Sequence, residues 1–165
     1  MTSLWQSPPA YPVPPALDDP RFRVLWDYWL GRRRDGRLPG RGDIDPLDLR
    51  QVLGHVYLID VVRAGAVLRF RHRLWGTKAL ALFGEEHTGK FVDELGFPGA
   101  SRIQATLEEM VRTRRPHFWQ RPLPPDRQLD FFSYRRLALP LATDGETVDQ
   151  VINMMIGDAT PIEEL

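Results

Sequence analysis

Residues 56–75 constrain the fold of this chain more than any other stretch. VYLIDVV (56–62) is a β-branched apolar run suited to a central strand. Arg63-Ala64-Gly65-Ala66 supplies a turn. Residues 68–75 then alternate without a break, with Leu68, Phe70, His72 and Leu74 on one face and Arg69, Arg71, Arg73 and Trp75 on the other. The pattern predicts a hairpin whose second strand buries one face and shows arginines on the other. An arginine row also guards an edge strand against unwanted pairing.

Helical periodicity surrounds this hairpin. Asp18 or Asp19 can cap a helix with Pro20 in its first turn. Phe22, Leu25, Trp26, Trp29 and Leu30 then fall on one stripe, and Arg32, Arg33 and Arg34 sit where cations complement a helix dipole. Gly36 and Pro39 end it. A stripe with two tryptophans docks on something large, either its own domain or a second copy, so Phe22, Trp26 and Trp29 are candidate interface residues. Asp45 and Pro46 read as the start of a second, short helix ending near Gly54.

Beyond the hairpin, KALALFG is a short helical piece ending at Gly84, and residues 87–95 form a loop leading into another short helix. Residues 100–115 predict a long helix with Ile103, Leu107, Met110 and Val111 as its apolar face. Strands are expected at 117–122, 129–141 and 147–157, with a loop over 122–128 and a tight turn at Thr143-Asp144-Gly145-Glu146. Hairpins at both ends with helices between them imply an α+β fold on an antiparallel sheet. The chain divides into a Pro-rich extended tail at 1–17, an amphipathic helix at 18–40 and a domain at 41–165. The tail carries Pro8, Pro9, Pro12, Pro14 and Pro15 and cannot build a core; a polyproline ligand for another protein is the alternative.

Composition narrows the function. The 22 basic and 22 acidic residues balance, which removes the basic footprint expected of a nucleic-acid or anionic-membrane binder. All the basic residues but Lys78 and Lys90 are arginine, a bias that codon usage accounts for more readily than anion binding does. With no cysteine, disulfides, thiolate nucleophiles and Cys-ligated metals are out. No apolar run approaches the roughly 18 residues of a membrane helix, and the N-terminus lacks the basic start and apolar stretch of a secretory signal. The expectation is a cytoplasmic protein.

The order of elements resembles the PAS fold. FRHRLWGTKALALFGEEHTGKFVDEL (70–95) is similar to the PAS segment in which a strand ends in Gly, a short helix ends in a second Gly, and a third Gly precedes an acidic-apolar turn. RGDIDPLDLRQVLGHVYLIDVV (41–62) and LALPLATDGETVDQVI (137–152) are similar to a single-domain PAS variant of bacterial proteins. The resemblance implies a PAS-like five-stranded antiparallel sheet with the central helices on one face, preceded by the N-terminal helix. It implies a sensory or signalling module rather than an enzyme, one that binds a small molecule between sheet and helices, docks to a partner protein, or pairs with itself. A lone PAS domain passes its signal through separate proteins. A ligand-free dimerisation module is the alternative, and a small α+β enzyme a further one.

In-phase positions give candidate pocket walls: Leu58, Phe70, His72, Phe83, Phe91, Met110, Phe132 and Met154. The same residues also describe an ordinary core. His72 is either a pocket residue that hydrogen-bonds a ligand or a core histidine held by a backbone carbonyl, and His87 reads as an exposed loop residue. Haem-binding relatives of the fold ligate iron through a histidine on a middle helix. His55, His72, His87 and His117 all lie off the 100–115 helix and form no metal-spaced cluster, so no cofactor or metal ligand is assigned. No nucleophile-elbow, zinc-protease, P-loop or dinucleotide motif occurs, so no catalytic residue is assigned either.

Overall fold

The computed structural model describes residue 17 and residues 19–96, 99–122 and 133–158. The Pro-rich tail, the loop after residue 122, the start of the strand expected at 129 and Phe132 lie outside the described residues. Five strands form one antiparallel sheet: β1 (Val56–Ala64), β2 (Val67–Trp75), β3 (His117–Pro122), β4 (Ser133–Leu141) and β5 (Gln150–Asp158). Their order across the sheet is β2-β1-β5-β4-β3. Helices α1 (Pro20–Arg32), α2 (Thr77–Phe83) and α3 (Ala100–Thr113) complete the frame.

The sheet is covered on both faces. Helix α1 lies on one of them, where Phe22 meets Phe118 of β3 edge-on at 5.7 Å. The indole nitrogen of Trp29 donates to the Pro140 carbonyl at 2.9 Å. Phe22, Trp26 and Trp29 are therefore interior side chains of their own domain. The tryptophan stripe packs on this sheet, which leaves the candidate interface without an exposed surface in this conformation. On the other face, α2 brings Phe83 within 4.9 Å of Trp75. Helix α3 is tied to β2 by Gln104, whose amide donates to the Leu68 carbonyl at 3.1 Å.

Two sequence expectations change. The stretch after Asp45 is a run of tight turns, not a helix. Asp48, Leu49, Arg50 and Val52 each donate to the carbonyl three residues back, and only Leu53–His55 closes a 3₁₀ turn. The strict alternation of β2 also breaks. Leu58 pairs with Leu74 but Ile59 pairs with His72, so Arg73 is an extra residue in a β-bulge. The bulge reverses the phase beyond it. Leu74 is half exposed, while Trp75 joins the Phe70–His72 face and stacks on Tyr57 at 4.3 Å with the rings nearly parallel. Gly76 follows at a point of close approach, where a Cβ would overlap the carbonyl oxygens of Leu53 and Gly54.

The start of α1 is an electrostatic clamp. Asp19 accepts from the Arg21 amide at 2.9 Å and from its guanidinium at 2.7 Å, and Arg135 of β4 reaches the same carboxylate at 3.1 Å. These donors, Arg21's side chain foremost, pull the Asp19 carboxyl down to about 2. Its folded value lies below its unfolded one, so its stabilisation is complete above about pH 4 and fades as pH falls through about 2. D19A should cost about 1–3 kcal/mol at pH 7. Urea midpoints of wild type and D19A should converge toward pH 2; a constant gap from pH 7 down to pH 2 would contradict this clamp.

Candidate functional site

Strand register decides which side chains share the face under α2 and α3. Tyr57 stands opposite Trp75 on one side and Asn153 on the other; Ile59 stands opposite His72. Asn153 faces Ala138, and Met155, two residues on, faces Arg136 of β4. Arg136 in turn faces Trp119 of β3. Alternation thus gathers Tyr57, His72, Trp75, Asn153, Arg136 and Trp119 on one surface. Leu107 and Met110 of α3 are buried with them in one core.

This surface is unusual for its polarity. Tyr57, Asn153 and Arg136 are no more than 1% exposed and His72 is 3% exposed. Both ring nitrogens of His72, the Trp75 indole nitrogen, Nε and Nη2 of Arg136 and Oδ1 of Asn153 find no hydrogen-bond acceptor or donor with good geometry among the protein's described residues, and the Tyr57 hydroxyl has only the Arg136 guanidinium close by. Native interiors pair nearly all such groups, so a cluster left open on one face calls for an explanation. The Arg136 guanidinium carbon lies over Trp119 at 3.7 Å from the ring centre and stands 5.8 Å from the Tyr57 ring centre. No carboxylate lies within ion-pair distance of it among the described residues.

Its neighbour behaves oppositely. Arg135 points to the α1 face and is held by Asp19 at 3.1 Å and Asp158 at 2.9 Å. Adjacent arginines on one strand thus differ in the one respect that matters, a counter-charge. Burial pushes the Tyr57 hydroxyl well above the ordinary tyrosine range, so it stays a neutral donor. His72 is driven down to about 4, first by burial and then by the charges of His87 and Arg136. It is a neutral imidazole at pH 7.

The eight candidate wall residues divide between places. Phe70, His72, Phe83 and Met110 belong to the helix-covered face; Phe83 lies 6.3 Å from His72. Leu58 and Met154 alternate onto the opposite face, by the register that puts Tyr57 and Asn153 on this one. There Leu58 lines a separate apolar pocket of about 350 Å³ with Ile44, Leu49, Leu53, Leu74 and Ile152. Phe91 sits at the edge of β2, its ring beneath the Arg69 guanidinium at 3.8 Å. His87 is buried rather than exposed, its ring 5.8 Å from that of His72.

Tyr57, Trp75, Asn153 and Arg136 were absent from the expected walls. Two of them carry a sequence signal. Asn153 is a lone polar residue in VINMMI, and Arg135-Arg136 is a charged pair inside a long apolar strand. Among the described residues no group of three or more His, Asp or Glu is placed to hold a metal ion. No helix among them is long and apolar enough to cross a membrane.

A family model described as PAS domain matches residues 18–156. The chain belongs to the PAS domain family. Among solved structures it is similar to the PAS domain of histidine kinase ThkA, at 18% identity over 61% of this chain and 97% of that one, with a TM-score of 0.42. A selenomethionine form of the same domain matches at 18% identity over 61% of this chain and 98% of that one, also with a TM-score of 0.42. No curated protein matches the sequence. PAS domains are typically sensory rather than enzymatic, and this one is a sensory or signalling module in that general sense.

The neutral state of His72 has a measurable consequence. Its folded value lies below the ordinary histidine value, so between about pH 6.5 and pH 4 the unfolded chain binds a proton that the folded one refuses. Stability should therefore fall as pH drops from 6.5 to 4, by about 1–3 kcal/mol from this residue. H72F should flatten that slope in urea melts. An unchanged slope would mean that His72 is not held neutral.

Proposed function

We propose that this PAS domain is a small-molecule sensor whose ligand occupies the helix-covered face of the sheet. The observation that carries this reading is the cluster of buried polar atoms on His72, Trp75, Asn153 and Arg136 that no described protein group pairs, with the Tyr57 hydroxyl beside Arg136. Each neutral group left so costs about 1–3 kcal/mol, and a buried cation costs more. A ligand that pairs several of them at once would turn that penalty into affinity. Phe83, 6.3 Å from His72 and 4.9 Å from Trp75, and Phe70 in phase with His72 add apolar surface beside these polar groups.

Occupancy has a direct route to the surface. His72 and Trp75 lie on either side of the bulge at Arg73, and Trp75 runs into Gly76 and α2. Repacking of these rings on binding would move α2 and the edge of β2, the elements from which a partner protein would read the state. Docking without a ligand is the rival reading, and it drew its surface from the Phe22, Trp26 and Trp29 stripe that the sheet here buries.

Native mass spectrometry of the chain, purified without added ligand, tests the proposal. A reproducible added mass of small-molecule size is expected, released on denaturation. A clean apo mass, with no small molecule released from the denatured protein, would contradict it.

A further inference from the structure

The charge of the site narrows what it can hold. Arg136 is the strongest electrostatic feature of the helix-covered face: a permanent cation, 1% exposed, whose Nε and Nη2 meet no carboxylate among the described residues and have only the neutral Tyr57 hydroxyl close by. A buried guanidinium with no counter-ion among the described residues carries a desolvation penalty of several kcal/mol, which its contact with the Trp119 ring offsets only in part. Among the described residues, the other groups around it bring no negative charge. Tyr57 offers a hydroxyl, His72 a neutral imidazole, and Asn153 an amide whose nitrogen already donates to the Val151 carbonyl. The site therefore holds one unit of positive charge and at least two neutral donors.

Resting on the ligand-binding reading, we infer that the molecule held here is a small monocarboxylate with an apolar or aromatic body, its carboxylate seated on Arg136. One charge balances one charge, whereas a phosphate dianion would bring a second negative charge with no cation to meet it. The planar fork of arginine presents Nε and Nη2 in the geometry that a carboxylate accepts bidentately. Tyr57 is placed to donate to the same group. It stands opposite Asn153, and Asn153 is the diagonal neighbour of Arg136 across β5 and β4. Phe70, Phe83, Leu107 and Met110 are apolar, which fits a body without further charge.

The test uses matched acid and amide pairs on the whole chain, benzoate with benzamide and hexanoate with hexanamide, with orthophosphate as the dianion. At concentrations about 100-fold above Kd, at least one acid should raise the thermal midpoint by about 5–10 °C while its amide and phosphate do not. R136M should weaken that acid at least about 30-fold. R136M should also melt higher than wild type without ligand, because it removes an uncompensated buried charge; this also establishes that the variant folds. R136K keeps the charge but loses the fork, and should bind the acid more weakly than wild type does.

Equal stabilisation by acid and amide, stabilisation by phosphate instead, or acid binding that survives in R136M would each overturn the carboxylate assignment. An added native mass found together with no acid effect also overturns it, while leaving the ligand-binding reading standing. A clean apo mass together with no acid effect removes both.

Discussion

The Trp29 indole bonded to the Pro140 carbonyl, with Phe22 set against Phe118, fixes α1 across one face of the sheet. The remaining geometry depends on that closure. Once α1 seals one side and α2 and α3 the other, alternate residues of the central strands all point into an interior. Arg135 and Arg136, side by side on β4, cannot both reach water. The α1 face supplies Asp19 and Asp158 for the first. The helix-covered face supplies an aromatic ring and neutral dipoles for the second.

That asymmetry separates a face whose charges pair within the chain from a face whose polar groups are left open. Asp19 joins the cap of α1 to β4 through charge-assisted hydrogen bonds, a self-satisfied network. Opposite it, Tyr57, His72, Trp75, Asn153 and Arg136 each carry an open donor or acceptor. Folding tolerates one or two such groups; five on one surface is a concentration that fold stability alone does not select. Sites that bind or sense are where a protein departs from consistency between local and global preference.

Much of the frame was legible in the sequence because it rests on local rules. The β-branched run VYLIDVV marked β1, alternation in LRFRHRLW marked β2, and the stripe from Phe22 to Trp29 marked α1. The misreadings came from interactions between distant segments. The bulge at Arg73 exists only in the pairing with β1, so periodicity put Leu74 inside and Trp75 outside, the reverse of what is found. Pro46 and Asp45 gave a sound helix start, but the backbone closes only three-residue turns there. Leu58 and Met154 were in phase with apolar neighbours on their own strands, and phase alone does not say which face a helix will cover. Arg136 was illegible for a further reason. A charged residue in an apolar strand suggests an edge or an outward face until the packing on both sides is known.

On the proposed function, an atom group from outside the chain completes the polar cluster beneath α2 and α3. A crystal structure of the protein purified from cells without added ligand, at a resolution that shows ordered water, measures this most directly. A bound ligand should appear as density that is neither protein nor isolated water, within hydrogen-bond distance of Arg136 Nε and Nη2 and of the Tyr57 hydroxyl. An Arg136 ion-paired to a carboxylate of its own chain, with Tyr57, His72 and Asn153 bonded only to protein, would contradict it.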